Sequence, residues 1–578
     1  MKKFKGIAAS DGIAIEKAFL LAEPDLSFTK HTVNNSEDEV ARLQQAVRLS
    51  KDELFTIHQR TQKDLGRHAA EVFNAHIEIL SDPEFFDQVN QIISENQVNA
   101  EYALDTITNQ YIEKFNSLAD TYMQQRADDV RDVVKRVMSH LLGVSLNDPA
   151  LANQQVIVIA HELTPSMTAQ FVPEMIKGIV ADLGGKTSHS AIMSRTLEIP
   201  SVVGLENIMD NVHEGDIVIV DGLTGDVIVD PEPDQVEEYR VKQAEFQKEK
   251  ASLDELTSKK TLSNDGKKTL LAANISSDND VDFAIKHGAE GVGLFRTEFL
   301  YMSTNKLPTE EEQFEIYKNV LNKMGSRPVT IRTADIGGDK PVPYLKAPKQ
   351  ENPFLGYRAI RLSLDREDIF RTQLRALIRA SAFGNLSIMF PMIATLDELR
   401  RAKAVYEEEL AKVEDEDIPH GEIKVGMMVE VPSTVVLADQ FAAEVDFMSI
   451  GTNDLIQYTM AADRGNEKVA NLYQPYNPSI LRMIKMVADA CHSNNIPVCM
   501  CGEMAGDQLA IPILFGIGLD EYSMSARQIL PSRSLISTLE SDKMVALANR
   551  TLSFYSTSSE VIYDVKRTLY DDYEDTYK

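Results

Sequence analysis

From about Leu262 onward the chain alternates short apolar runs with helical stretches, and this repetition limits the possible folds more than any other feature. The runs read TLLAANI, GVGLFRT, PVTIRTAD, LSIMFPM, IKVGMMVE, VDFMSIG, PVCMCGE and a last one near LDEYSMS. Strands that read as continuous apolar runs suit a parallel sheet buried on both faces, and helices supply the crossovers between them. Eight such units fit a (β/α)8 barrel, whose usual length of about 250 residues leaves room for insertions. An open doubly wound sheet is the alternative architecture.

A barrel makes a further test possible, because functional groups in that fold sit where strands end and loops begin. The polar residues fall there: Arg296 after GVGLF, Arg332 after PVTI, Glu430 after VGMMV, Asn453 and Asp454 after FMSIG, and Cys501 after PVCM. Glu430 and Asp454 offer two hard oxygen ligands without accompanying histidines, which suits Mg2+ rather than zinc. Arg296, Arg332 and Arg464 carry planar forks that match phosphate or carboxylate oxygens. Any one arginine could equally be a surface ion pair; their grouping at one barrel end points to a site for a doubly anionic, metal-bound small molecule.

The three cysteines, Cys491, Cys499 and Cys501, lie in one short stretch and make no disulfide framework, which suits a reducing cytoplasm. Cys499 and Cys501 share one face of a strand, and with His492 they resemble part of a soft metal site, but the ligand set is too small, so core packing is expected for Cys499. Cys501 stands at the strand end beside Gly502 and Glu503, where a thiol can act as acid or nucleophile.

The N-terminal half has a different texture. From about Ser36 to Leu142 apolar residues such as Val40, Leu43, Val47, Leu54 and Ile57 recur at helical spacing, and Ser36 with Glu39 makes a candidate capping box. Further periodic runs at Val72 to Leu80, Leu104 to Tyr111 and Val130 to Val137 give about four amphipathic helices. On both sides of them lie short β-branched runs, so residues 31–145 read as a helical insertion into an α/β domain made of 1–30 and 146–230. Pro231 and Pro233 close that domain. The charged stretch 231–260 reads as a linker helix, either a solvated surface helix or a hinge, and 261–578 as the barrel domain. The whole is a multidomain α/β chain.

The sharpest motif is GGKTSHSAIMSR, Gly184 to Arg195. Two glycines permit a tight turn after the strand GIVAD, and Thr187, Ser188 and Ser190 set hydroxyls beside His189 where a helix begins. Free N–H groups and the positive dipole end of a helix stabilise an anionic group there, so His189 reads as a phosphate carrier rather than a capping or core histidine.

At these residues the chain resembles enzyme I of the bacterial phosphoenolpyruvate-dependent sugar phosphotransferase system, over essentially its whole length. The resemblance implies that His189 is the phosphorylated residue, that Arg296 (in GLFRTEFL), Arg332 (in IRTADIGGDK), Asn453 and Arg464 (in SIGTNDLIQYTMAADR) contact phosphoenolpyruvate, and that Glu430 and Asp454 hold Mg2+. It implies that Cys501, in VCMCGEMAGD, protonates the enolate to pyruvate. It also implies that the helical insertion docks the histidine carrier protein HPr, with QRADDVRD and AAEVFNAHIEILSDPEF as recognisable pieces, and that the barrel domain forms a homodimer. The chain departs from many relatives in reading HELTPSMTAQ where they have DLTPSETAQ, with Met167 new and Thr168 kept, and in Asp11 where many have proline. A pyruvate-phosphorylating dikinase or phosphoenolpyruvate synthase shares both motifs, but would need a nucleotide-binding domain, and no G-x-x-x-x-G-K-[ST] loop occurs. A binding protein with an inert barrel is a third possibility, opposed by the intact barrel residues.

With 89 acidic against 59 basic residues the formal net charge is -30. That disfavours nucleic acid and anionic membrane as partners and favours a basic one. The N-terminal lysines are followed by an apolar stretch broken by Asp11, Glu16 and Lys17, unlike a signal peptide, and no segment has the uninterrupted apolar length of a membrane span.

Overall fold

Each of the eight apolar runs after Leu262 carries a strand: β9 Leu270–Ile275, β10 Gly291–Arg296, β11 Pro328–Arg332, β12 Asn385–Phe390, β13 Lys424–Val429, β14 Met448–Ile450, β15 Val498–Met500 and β16 Glu521–Met524. All pair in parallel with their neighbours in chain order, and β16 pairs back to β9 from Glu521↔Leu270 to Met524↔Ala273, closing the barrel. The open sheet is thereby excluded. The computed structural model describes residues 1–578 apart from 22–25, 66, 117–120, 145–153, 164–166, 168–170, 172–173, 186–187, 303–305, 339, 341, 346–349, 467 and 571–578. For 60–65, 67–72, 116, 121–126, 128, 189, 196 and 343 it describes the backbone alone. It forms two units, Met1–Lys250 and Ala251–Lys578.

In the barrel unit the strand residues alternate between two cores. Outward-facing side chains such as Leu271, Ala273, Val329, Ile331, Ile388 and Met427 join the surrounding helices in one large apolar cluster. Inward-facing Leu294, Met389, Met428, Phe447, Cys499 and Cys501 fill the interior. Cys499 is therefore a packing residue, whereas Cys491 lies in the outer cluster and His492 Nε2 sits 3.3 Å from Asp520. The expected alternation of a filled barrel is what brings every second strand-end residue to the mouth.

The first unit is built on an eight-stranded sheet in the order β1-β8-β7-β3-β4-β5-β6-β2. Its strands are β1 Lys2–Lys5, β2 Ile7–Ser10, β3 Ile13–Leu21, β4 Val156–Ala160, β5 Ile176–Ala181, β6 Ser201–Val203, β7 Ile217–Asp221 and β8 Asp226–Val229. The two outermost strands, β1 and β2, are consecutive in sequence and separated only by Gly6, whose N–H donates to Gly225 at 2.9 Å. A Cβ on Gly6 would come within 2.7 Å of the Val203 carbonyl oxygen, so the chain crosses here because no side chain is present.

Among the described residues between β3 and β4 stand five helices, α1 Ser36–Leu65, α2 Arg67–Leu80, α3 Pro83–Asn96, α4 Ala100–Asn116 and α5 Thr121–Leu142, one more than the periodicity gave. The additional helix, α3, starts at Pro83 with Asp82 as its cap, the Asp82 carboxylate accepting the Glu84 N–H at 2.9 Å. Its buried Phe85, Val89 and Ile93 each contribute about 1.5–3 kcal/mol by leaving water. The capping box expected of Ser36 and Glu39 does not form. Asn35 caps α1 by accepting the Glu37 N–H at 3.1 Å. Glu39 is drawn instead into a tertiary contact, accepting from Ala100 N–H at 2.6 Å and pairing with Arg42.

Helix α6, His189–Thr196, stands between β5 and β6, and α7, Pro233–Asp254, follows β8. The charged linker stretch is thus a single helix, and it is not wholly solvated. Tyr239 is buried against Ile13, Ile219 and Ile228, the Gln243 amide donates to the Ile13 carbonyl at 2.7 Å, and Lys250 pairs with Glu198 at 2.6 Å. One aromatic turn suffices to dock a helix whose remaining faces are charged.

Candidate active site

β5 delivers the chain to the turn before α6. Gly184 sits at φ +115°, a conformation open to glycine, and a Cβ there would meet Ser188 Oγ at 3.1 Å. Ser188 caps α6: its Oγ accepts the Ala191 N–H at 3.4 Å, donates to the Gly185 carbonyl at 2.8 Å and lies 2.9 Å from Ser190 Oγ. His189 is the first residue of the helix, as the motif implies. Thr187 and Thr168 lie outside the described residues. The helix is held from below by Arg195, which donates to the Ala9 carbonyl at 2.9 Å, and by Ser10, which donates to the Ser194 carbonyl at 3.3 Å. Beside the turn, Asp182 accepts N–H groups of Ile208 and Met209, and its Oδ2 stands 3.3 Å from His161 Nδ1.

At the C-terminal end of the barrel the structure brings together residues from six different strand ends. Arg332 is buried at the end of β11, its Nη2 2.6 Å from Glu298 Oε1 and 3.2 Å from Asp335 Oδ2, its Nη1 3.5 Å from Met428 Sδ. Its Nε is buried with no acceptor among the described residues. Lys340 Nζ reaches the same two carboxylates, Glu298 at 2.8 Å and Asp335 at 2.9 Å. Arg358, 1% exposed, donates to Asp335 from Nε at 3.2 Å and from Nη2 at 2.9 and 3.0 Å, and lies 3.5 Å from Asp454. Burial works to raise both Glu298 and Asp335, yet the neighbouring cations hold each below the usual carboxylate range, Asp335 far below it.

Glu430 follows β13 and Asp454 lies in the first turn of the helix Thr452–Met460 that follows β14, so the pairing of Val429 with Ile450 sets them side by side. Burial, reinforced by the charge of Asp454, pushes the Glu430 carboxyl up to about 8, with Arg332 and Arg358 opposing. Glu430 Oε1 accepts the N–H of Met392 at 2.6 Å, which stands at φ +56°, a strained conformation for a side-chain-bearing residue. Asp454 Oδ1 is buried without a hydrogen-bond partner among the described residues. Two adjacent buried carboxylates that repel each other, one with an orphan oxygen, fit a hard divalent cation. Among the described residues no three His, Cys, Asp or Glu side chains are placed to hold one metal ion together, so such an ion would draw its other ligands from water and substrate.

Cys501 follows β15 inside the barrel, 2% exposed, its Sγ 3.8 Å from the Ile450 carbonyl oxygen. Burial pushes the thiol up to about 11, against the neighbouring Ser449 hydroxyl and the charges of Arg332 and Arg296, so Cys501 lies within electrostatic reach of Arg332, Arg296 and Glu430. The following Gly502 is obligatory by contact: a Cβ there would overlap Thr452 Oγ1 at 1.8 Å. Asn453 and Arg464 are placed at the rim rather than in the buried set. Asn453 exchanges hydrogen bonds with Glu503, Nδ2 to Oε1 at 3.3 Å and the Glu503 N–H to Oδ1 at 3.2 Å. Arg464 is exposed on the loop after the Thr452–Met460 helix, and its charge, with those of Glu503 and Asp454, is felt at Tyr473.

Sequence reasoning missed Glu298, Asp335, Lys340 and Arg358. Three of them stand inside the quoted motifs, Glu298 two residues after Arg296 and Asp335 and Lys340 in IRTADIGGDK. Arg358 belongs to a stretch with no strand and carries no local signal.

A closed parallel barrel with buried cations, paired carboxylates and a thiol at its mouth, joined in one chain to a histidine at a helix start, defines a phosphoryl-transferring enzyme of the phosphoenolpyruvate-utilising class. Residues 5–126 match the model of the PEP-utilising enzyme N-terminal domain, 152–225 that of the mobile domain and 250–541 that of the PEP-binding domain. The chain is 54% identical over 570 residues to the phosphoenolpyruvate-protein phosphotransferase of Priestia megaterium, covering 98% of this chain and 99% of that one. It is 53% identical over 569 residues to the enzyme of the same name from Bacillus subtilis strain 168, covering 98% and 100%. It belongs to the phosphoenolpyruvate-protein phosphotransferase family. A solved structure titled as an NMR solution structure of an enzyme I protein is 41% identical, covers 42% of this chain and 99% of that one, and has a TM-score of 0.39.

Proposed function

We propose that the chain transfers the phosphoryl group of phosphoenolpyruvate to His189 and from there to HPr, with Mg2+ as its cofactor. The observation that carries the proposal is the buried set Arg332, Arg358, Glu430, Asp454 and Cys501, with half-buried Lys340 beside it, at one end of the closed barrel. Phosphoryl transfer needs positioning and charge neutralisation more than covalent chemistry by the protein. Arg332 and Arg358 present guanidinium forks suited to phosphate and carboxylate oxygens, with Lys340 as a point charge beside them and Arg296, Asn453 and Arg464 nearer the opening.

Glu430 and Asp454 would hold Mg2+, which when bound neutralises phosphate oxygens and fixes their orientation. A ring nitrogen of His189 attacks phosphorus, the bond from phosphorus to the enol oxygen breaks, and the enolate is left in the barrel. The Cys501 thiol, kept protonated by burial, gives its proton to the methylene carbon, and the thiolate is reprotonated from solvent. The N–P bond on His189 is then broken by a histidine of HPr. His189 stands at a helix N-terminus among hydroxyls, where backbone N–H groups stabilise the phosphate between the two transfers.

A protein acceptor is supported by the name of the relatives, and the net charge of -30 favours a basic one; HPr fits that description, and the helical insertion is proposed as its docking surface. Of the recognisable pieces, the side chains of 69–72, 125, 126 and 128 lie outside the described residues. Dimerisation through the barrel unit and a cytoplasmic location complete the proposal; among the described residues no helix is long and apolar enough to cross a membrane. His189→Ala tests the central assignment. It is expected to abolish acid-labile labelling from phosphoenolpyruvate while leaving the far-ultraviolet circular dichroism unchanged. Undiminished label on that variant would sink it.

A further inference from the structure

We infer that Asp335 is a positioning residue for anion capture, holding Arg332, Lys340 and Arg358 as one fixed array of donors against which the phosphate and carboxylate of phosphoenolpyruvate register. The inference rests on the proposed function and adds a residue to it. Asp335 is 1% exposed, so it acts through its partners rather than on the substrate. Its Oδ1 accepts from Arg358, and its Oδ2 accepts from Arg358 at 2.9 Å and Lys340 at 2.9 Å and lies 3.2 Å from Arg332 Nη2. Glu298 reaches Arg332 and Lys340. Among the described residues, Asp335 is the carboxylate that touches all three cations.

The backbone around it is built to hold that contact. The N–H of Ala334 donates to Gln373 Oε1 at 2.8 Å, and that of Thr333 to the Met389 carbonyl at 3.0 Å, fixing the chain just before Asp335. Gly337 bridges to both Lys340 and Arg358, and the Ala359 N–H donates to the Ile336 carbonyl at 3.0 Å. Gly337 at φ +90° and Gly338 at φ +64° turn the chain so closely over its neighbours that a Cβ on Gly337 would lie 2.6 Å from the Tyr357 carbonyl oxygen. Ala359, next to Arg358, is itself held at φ +52°, ψ -128°, a conformation that persists only where the surroundings impose it. The segments 335–338 and 357–359 are therefore latched backbone to backbone with the Asp335 carboxylate between them, and Arg358 carries the array on to Asp454.

The physical consequence is orientation. A guanidinium fork gives bidentate recognition only at a fixed angle, and a displacement of about 1 Å at a reacting group lowers turnover by about 100-fold. Asp335→Asn keeps the volume and removes the charge. Asp335→Glu keeps the charge and moves it by one methylene. Both are to be made in the full-length chain, with two reactions followed on each preparation: pyruvate formation from phosphoenolpyruvate with Mg2+, and exchange of phosphate between phosphorylated HPr and His189, which uses the other unit.

For Asp335→Asn the expected result is a rise of at least 30-fold in KM for phosphoenolpyruvate, with exchange from phosphorylated HPr within twofold of wild type. Asp335→Glu is expected to recover no more than a tenth of the lost kcat/KM, because charge without placement is insufficient. A KM within threefold of wild type in folded Asp335→Asn overturns the inference, and so does full recovery in Asp335→Glu. Should Asp335→Asn not fold, folded Asp335→Glu decides alone: raised KM supports the inference, wild-type KM overturns it. Wild-type protein that took no phosphate from phosphoenolpyruvate would refute the proposed function instead, whatever the variants did.

Discussion

At the start of α6 the described hydrogen bonds of the cap join neutral groups, Ser188 bonding to the Gly185 carbonyl at 2.8 Å and lying 2.9 Å from Ser190 Oγ. At the barrel mouth four buried carboxylates, Glu298, Asp335, Glu430 and Asp454, lie among Arg332, Lys340 and Arg358. The contrast follows from what each region has to do. A carrier that accepts and surrenders phosphate is best served by dipoles and hydroxyls that break no ion pair in either direction. A site that captures a small polyanion and stabilises charge during cleavage is best served by ions already fixed and dry, where they need not reorganise. Carboxylates among the cations look counterproductive for anion binding, but they are what orders the cations.

If this division holds, substitutions in the barrel should cripple transfer from phosphoenolpyruvate and spare exchange with phosphorylated HPr. The largest effect is expected of Asp454→Asn, which removes one of the two carboxylates proposed to hold Mg2+ and one of the two carboxylate neighbours of Arg358. It should lower kcat/KM for phosphoenolpyruvate by about 1,000-fold, measured as pyruvate formation over a Mg2+ titration. A wild-type Mg2+ response in that variant would break the comparison on the barrel side.

A smaller loss, about 100-fold in pyruvate formation, is expected of Cys501→Ala, since a positioned acid contributes on that order. The sign of its pH dependence follows from burial, which lifts the thiol from its ordinary value to about 11. The proton-donating form is then fully present below that value and is lost only as pH rises through it, so this group should leave turnover flat from pH 7 to pH 9. A decline centred near the ordinary thiol pKa, present in wild type and missing in Cys501→Ala, would show that the thiol is not held protonated.

Much of this was legible in the residues. The eight apolar runs gave the barrel, and the position of Arg332, Glu430, Asp454 and Cys501 where strands end and loops begin put them at one end of it. What was not legible arises from convergence in space. Arg358 reaches the site because Gly337 and Gly338 fold the loop after β11 onto it, and no periodicity reports such a latch. Ser36 reads as a cap with Glu39, but Glu39 is claimed by Ala100, a partner 61 residues away. Tyr239 and Phe246 are the two aromatics of a charged helix, too sparse for a periodic signal, yet Tyr239 docks α7 on the first unit.

That docking also fixes where the two regions can be separated. Because α7 runs to Asp254 with Gln243 and Lys250 bound to the first unit, the fragment Met1–Asp254 keeps these contacts. It contains His189 and the five helices and lacks Arg332, Glu430, Asp454 and Cys501. The most direct measurement is of acid-labile phosphate on His189 of this folded fragment, offered phosphorylated HPr in one reaction and phosphoenolpyruvate with Mg2+ in the other. Labelling from phosphorylated HPr and none from phosphoenolpyruvate is the expected result. Labelling from phosphoenolpyruvate would mean that the barrel is not the donor site, and failure with phosphorylated HPr would remove the first unit from the second transfer.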